Sequence, residues 1–205
     1  MPSAARAPLV LASASPYRRR MLAAAGLSFE VVVADVDEAS LKRALASRSP
    51  RPQAAEVAET LARAKAEAVS ARHPGAFVIG ADQVLTLGDE LFDKPGDANA
   101  ARAQLQRLRG NTHRLISGVA LVQGGRLLWS RADEASLAMR DFSDAFLDLY
   151  IAKSGPGICN IVGAYEIEGL GIQLFDRVAG DHFTIIGLPL VPLLTELRSR
   201  GVLDT

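Results

Sequence analysis

Cysteine is nearly absent: Cys159 is the only one in 205 residues, so no disulfide can close within the chain. The three histidines, His73, His113 and His182, have no zinc-binding spacing and no second cysteine to join them. There is no excess charge of either sign, with 23 basic and 23 acidic residues. A net charge of zero gives no general attraction to a nucleic-acid polymer or an anionic membrane, so any bound anion must be held by a local cluster. Long apolar runs are missing too. The longest uncharged one, Phe183 to Thr195, falls short of the ~20 residues that cross a bilayer. Arg6 before the run Ala7 to Ala12 resembles a leader, but the run is too short and Pro16-Tyr17-Arg18-Arg19-Arg20 follows at once. Neither a Walker lysine nor a Gly-x-Ser-x-Gly elbow occurs. These absences predict a cytoplasmic protein with neither membrane nor nucleic-acid polymer as partner.

What is present suits one domain over 1–205, or two lobes around one cleft. The composition, 49% hydrophobic, can fill a substantial core. Leu9 to Ser13 reads as a buried strand, followed by Ser15 as N-cap, Pro16 at the first helical position and Gly26 as stop. Phe29 to Ala34 reads as strand, and Asp35 to Pro52 as a polar loop. Ala54 to Arg72 carries Val57, Leu61 and Ala64 at helical spacing. Phe77 to Ala81 reads as a central strand with Asp82 at its end, then Val84 to Leu87 and Glu90 to Phe92 as a hairpin. Asp97 caps a helix that Gly110 stops. His113 to Val122 and Leu127 to Met139 form two long strands, and Ser143 to Ala152 a helix. After a glycine-rich stretch, Ile172 to Val178 and Phe183 to Ile186 read as strands, and Pro189 opens a last helix. Hairpins interrupting helix–strand alternation predict an α/β fold with a mixed twisted sheet flanked by helices, two-lobed with a central cleft.

Four groups of residues could carry chemistry. Ser13, Ala14 and Ser15 are small and lead into a helix N-terminus, where a phosphate could meet backbone N–H groups and Arg18. On local sequence alone, a capped helix with solvated arginines is the commoner outcome of such a pattern. Asp82 and Gln83 stand where ligands of α/β sheets gather, although a plain loop cap is an equal alternative. Glu38, Lys65 and Lys94 are single charges near element ends. Lys65 has Leu61 and Val69 one turn away on either side, so it lacks the usual carboxylate partner on its own helix. Gly163 to Gly171, with Glu166 and Glu168 inside it, could let a ligand approach the backbone, or form only a glycine-rich turn.

In order, Leu11-Ala12-Ser13-Ala14-Ser15-Pro16-Tyr17-Arg18, Asp37-Glu38, Leu61 with Lys65-Ala66, Gly80-Ala81-Asp82-Gln83 and Lys94-Pro95 resemble the Maf family. Ser117 to Leu121, Gly163-Ala164-Tyr165 and Gly187 to Leu190 extend the resemblance over nearly the whole chain. It implies a fold related to the inosine triphosphate pyrophosphatases, usually a homodimer, with a divalent cation (Mg or Mn). It also implies hydrolysis of a nucleoside triphosphate at the α–β phosphoanhydride, with Asp82 as base acting on water. Arg18, Lys65 and Lys94 would clamp phosphates, and Glu38 with Asp82 would hold the metal. Tyr17, Gln83 and Glu168 match the aromatic–Gln–Glu set of members acting on N7-methyl-GTP, whereas members acting on dTTP and UTP resemble one another with Arg, Thr and Gln. An aromatic face suits a cationic methylated purine. The alternatives are a broad or dTTP/UTP-specific pyrophosphatase and, from another class, a non-enzymatic regulator of septum formation. The chain departs from the family at Asn160-Ile161-Val162, where many members have Asp-Lys-Ala, and at Asp93, where glycine is usual.

Overall fold

The computed structural model describes residues 7–204; Arg6, weighed above as part of a leader, lies outside them. The first elements are β1 (Leu9–Ala12), α1 (Pro16–Ala24), β2 (Glu30–Val31), α2 (Glu38–Ala46) and α3 (Ala54–Ser70). Next come β3 (Phe77–Leu87), β4 (Glu90–Phe92), α4 (Ala98–Leu108), β5 (Thr112–Gln123), β6 (Arg126–Met139) and α5 (Asp144–Ser154). Two 3-10 turns, Pro156–Asn160 and Leu170–Leu174, precede β7 (Phe175–Ala179), α6 (His182–Ile185) and α7 (Leu190–Ser199). The sheet is mixed, as the sequence predicts. Its order is β2-β1-β3-β5-β6-β7, with β4 also paired to β3. β1 runs parallel to β2 and β3, while β3–β4 and β6–β7 are antiparallel.

The chain divides into two compact units. One comprises residues up to Gln83, Ser117–Asp133 and the part from His182 onward; the other comprises Val84–Ile116 and Glu134–Asp181. In the first, β1 is buried on both faces: Leu9 and Leu11 join Leu22, Ile79, Leu121 and Leu193, while Val10 and Ala12 join Ala66, Val69 and Val78. Alternation along the strand separates the two sets. α3 packs directly on the sheet because two glycines face it. A Cβ at Gly80 would sit 2.0 Å from the Ala62 carbonyl oxygen, and one at Gly118 2.5 Å from that of Ala58. In the second unit, Leu105, Leu108, Leu115, Leu137, Leu147 and Leu174 are buried.

Five local expectations change. Ile172 to Val178 is not one strand: Leu170–Leu174 is a 3-10 turn that buries Leu174, and the strand runs Phe175–Ala179. Asp35 to Pro52 is no continuous loop but holds α2, because Asp37 caps it by accepting from the Ser40 N–H at 2.9 Å and Leu45 is buried. The polar residues around them masked that helix. β2 is only two residues long, since it is an edge strand, and Val31 and, beyond its end, Val33 remain exposed. β3 does not stop at Asp82 but continues to Leu87, so the polar pair lies within a strand rather than past its end. Phe183 to Ile186 contributes a helical turn instead of a strand, one case where a short apolar run fits either period.

Candidate active site

The strand–turn–helix from β1 to α1 is closed by its own hydroxyls. Ser13 Oγ accepts from the Ser15 N–H at 3.2 Å, and Ser15 Oγ accepts from the Arg18 N–H at 3.4 Å. Both oxygens are thus acceptors within the chain, which leaves their O–H groups as donors. Arg18 is buried rather than solvated. Its Nε donates to the Gly187 carbonyl at 2.8 Å, and Nη1 donates to the Ala81 carbonyl at 2.9 Å and to Ser13 Oγ at 3.2 Å. Burial lowers its pKa from the ordinary value, and the charges of Asp82 and Glu38 pull it the other way. Its neighbours Arg19 and Arg20 are exposed, and the Arg20 guanidinium lies 5.0 Å from the centre of the Tyr17 ring. That ring already serves as a platform for a planar cation.

Asp82 is buried and shares a strand face with Gly80 (strand side chains alternate). The contact of Gly80 with α3 therefore brings that helix over the carboxylate. Lys65 Nζ lies 2.6 Å from Asp82 Oδ1 and 2.9 Å from Glu38 Oε1. The partner that Lys65 lacks on its own helix is supplied by β3 and by the first residue of α2. The side chains of Lys65 and Asp82 are 13% and 9% exposed and that of Glu38 43%, so the ion pair opens toward solvent on the Glu38 side. Two carboxylates gathered at one cation offer the all-oxygen, partly hydrated ligand set that Mg²⁺ or Mn²⁺ accepts. Among the described residues no third acidic, histidine or cysteine side chain joins them, so an ion held there would keep several waters.

Gln83 faces the other side of β3. Its Nε2 lies 3.0 Å from Ser117 Oγ, 3.1 Å from the Thr184 carbonyl and 2.9 Å from the Ile185 carbonyl. Ser117 in turn donates to the Thr184 carbonyl at 2.8 Å. The amide orientation is fixed: a flip would set its carbonyl against those two carbonyls. The contacts of Ser117 and of the α6 carbonyls with Gln83 escape a sequence reading, because they join residues 34 to 102 positions apart.

Ser13, Ser15, Tyr17, Arg18, Glu38, Lys65, Asp82 and Gln83 all belong to the first unit; Lys94 and Glu168 belong to the second. Lys94 is exposed just after β4, and Glu168 is exposed in the turn before the second 3-10 segment. Two surface hollows, of 420 and 670 Å³, contain none of these residues.

Comparisons with known proteins agree on one family. The family described as "Maf-like protein" matches residues 8–200. The "7-methyl-GTP pyrophosphatase" of Brucella abortus is 48% identical, covering 96% of this chain and 98% of its own. That of Mesorhizobium japonicum is 49% identical, over 96% and 98%. The "Nucleoside triphosphate pyrophosphatase" of Paramagnetospirillum magneticum is 53% identical, over 95% and 99%.

Proposed function

The chain belongs to the Maf family, and we propose that it is a nucleoside triphosphate pyrophosphatase favouring N7-methyl-GTP. It releases a nucleoside monophosphate and pyrophosphate. The observation that carries the reading is the Glu38–Lys65–Asp82 group, tied to the β1–α1 turn through the bond from Arg18 to the Ala81 carbonyl. Taking an ion pair out of water is costly, so a purely structural or regulatory scaffold would gain little from keeping Lys65 and Asp82 paired in a site that is mostly shut off from solvent.

A triphosphate carries several negative charges, and its hydrolysis depends on positioning and charge neutralisation more than on covalent chemistry. The hydroxyls of Ser13 and Ser15 donate to phosphate oxygens. Arg18 holds that turn in place from beneath and adds positive charge to the site, and Lys94 supplies another cation. Lys65 compensates Asp82, which accepts a proton from the attacking water. In the alternative role Asp82 would join Glu38 in holding the Mg²⁺ or Mn²⁺, which when bound neutralises phosphate charge and polarises the anhydride; a carboxylate that tightly ligates the ion is not free to act as the base. Tyr17 stacks on the cationic base, Gln83 presents a fixed acceptor, and Glu168 accepts from the N–H groups of the guanine edge. In this reading the enzyme acts on free nucleotides in the cytoplasm as a homodimer.

A nucleotide panel with identified products tests the reading. Pyrophosphate should appear without stepwise orthophosphate, and excess EDTA should abolish turnover. N7-methyl-GTP should exceed dTTP and UTP by about ten- to a hundredfold, the cost of opposing a carboxylate, once the bound base shuts it off from water, to a thymine or uracil carbonyl. Glu168→Gln and Tyr17→Ala should each narrow that gap. If dTTP and UTP were the best substrates, the base assignment would fall and the pyrophosphatase reading would stand. Orthophosphate with a nucleoside diphosphate would sink both.

A further inference from the structure

A buried group in the second unit has no part in the chemistry above. His113, on β5, has no exposed surface, and its Nε2 lies 2.7 Å from Tyr165 Oη. Among the described residues, its Nδ1 has no hydrogen-bond partner. Both rings pack on Phe175, at 5.8 Å for His113 and 4.9 Å for Tyr165. A histidine with one buried ring nitrogen unmet costs stability that an apolar residue would not, so the bond to Tyr165 needs a reason.

The residues before Tyr165 supply it. Ala164 holds a φ of 57°, a left-handed conformation that costs an L residue energy and persists only when its surroundings enforce it. Tyr150 Oη, from α5, donates to the Ala164 carbonyl at 3.2 Å. The Gly163 N–H donates to Gln104 Oε1 at 3.2 Å. The Tyr165 ring folds back so closely that a Cβ at Gly163 would lie 2.6 Å from it. Beyond Tyr165 the chain curls on itself. The Gly169 N–H donates to the Glu166 carbonyl at 3.1 Å, and a Cβ on Gly171 would meet that same oxygen at 2.4 Å. Glu168 is carried inside this curl.

We propose that Tyr165, Tyr150 and His113 are positioning residues that hold the strained turn, so that Glu168 meets the nucleobase in one fixed orientation. The proposal rests on the reading of Glu168 as the base-recognising carboxylate. Binding energy is realised only if the acceptor is already placed, since ordering a loose turn draws on the same energy.

Tyr165→Phe and Tyr150→Phe each delete one oxygen and keep the ring, so the packing survives. Two measurements on the full-length protein decide the matter. Amide hydrogen exchange across residues 163–171 should quicken in each variant while α3 and β1 stay protected. The ratio of kcat/KM for N7-methyl-GTP to that for UTP should fall about fivefold, chiefly through KM, with kcat nearly unchanged. In a Glu168→Gln background the same tyrosine changes should leave the ratio where it is. Unchanged exchange in both variants would overturn the clamp. Faster exchange with an unchanged ratio, where Glu168→Gln alone does alter it, would overturn its positioning role. If Glu168→Gln alone left the ratio untouched, the base reading would fail instead, and with it the positioning of Glu168; exchange would then decide only whether the clamp holds the turn.

Discussion

Asp82 and Gln83 are neighbours with opposite tasks, because successive strand residues face opposite sides of a sheet. Asp82 turns toward Lys65, whose Nζ also lies 2.9 Å from Glu38. Asp82→Asn therefore leaves Lys65 with a carboxylate partner, and the fold should survive. Turnover should drop ~10²-fold or more, as when a positioned base is lost, with a melting curve close to wild type. Near-normal turnover would remove Asp82 from the reaction. Gln83 donates into a nest of oxygens from Ser117, Thr184 and Ile185. Gln83→Glu has no proton to offer there and should cost about 1–3 kcal/mol in denaturant unfolding. Gln83→Met, which leaves no charge facing the carbonyls, should cost less. The reverse ranking would mean that the amide is not held by those bonds.

Among elements, α3 matters most, since it carries Lys65 and lies on the sheet with almost no gap. Gly80 and Gly118 make that approach possible, for an added methyl at either would overlap the helix backbone. Gly118→Ala and Gly80→Ala should each destabilise by roughly 1–3 kcal/mol, as overpacked interiors do. Gly80→Ala should lower kcat as well, because it pushes α3 away on the strand face that bears Asp82. Urea unfolding and steady-state kinetics separate the two effects. Equal kcat values in both variants would show that the Lys65–Asp82 distance tolerates a shift of the helix. α2 adds a related point: its cap, Asp37, starts the helix at the residue that reaches Lys65.

For the molecule as a whole, the buried imidazole sets a pH dependence. Burial pushes the His113 pKa down from 6.5 to about 4, so the unfolded chain binds a proton that the folded chain refuses. Stability contributed by keeping it neutral is present above 6.5, falls as pH drops through that value and is lost by about pH 4. That difference is worth about 3 kcal/mol. The melting temperature should fall over this window, and His113→Phe should flatten the fall relative to wild type at every pH below 6.5. Parallel curves for the two proteins would show that the imidazole is protonated without cost.

Much of this was legible from spacing alone. The caps Ser15 and Asp97 each accept from a backbone N–H three residues on, and the β3–β4 hairpin turns at Gly88 as its neighbours predict. Such interactions lie within one turn of chain, so the sequence contains both partners side by side, and motif order was enough to point to the family. The site's working geometry was not legible in that way. Arg18 looked like a surface cation, yet its partners Ala81 and Gly187 lie 63 and 169 residues away. Gln83 shows no partner in its own stretch of sequence, but α6 places two carbonyls against its amide. A side chain's chemical type is written in the sequence, but which of its donors remain free for a ligand depends on groups that only the folded chain brings within 3 Å.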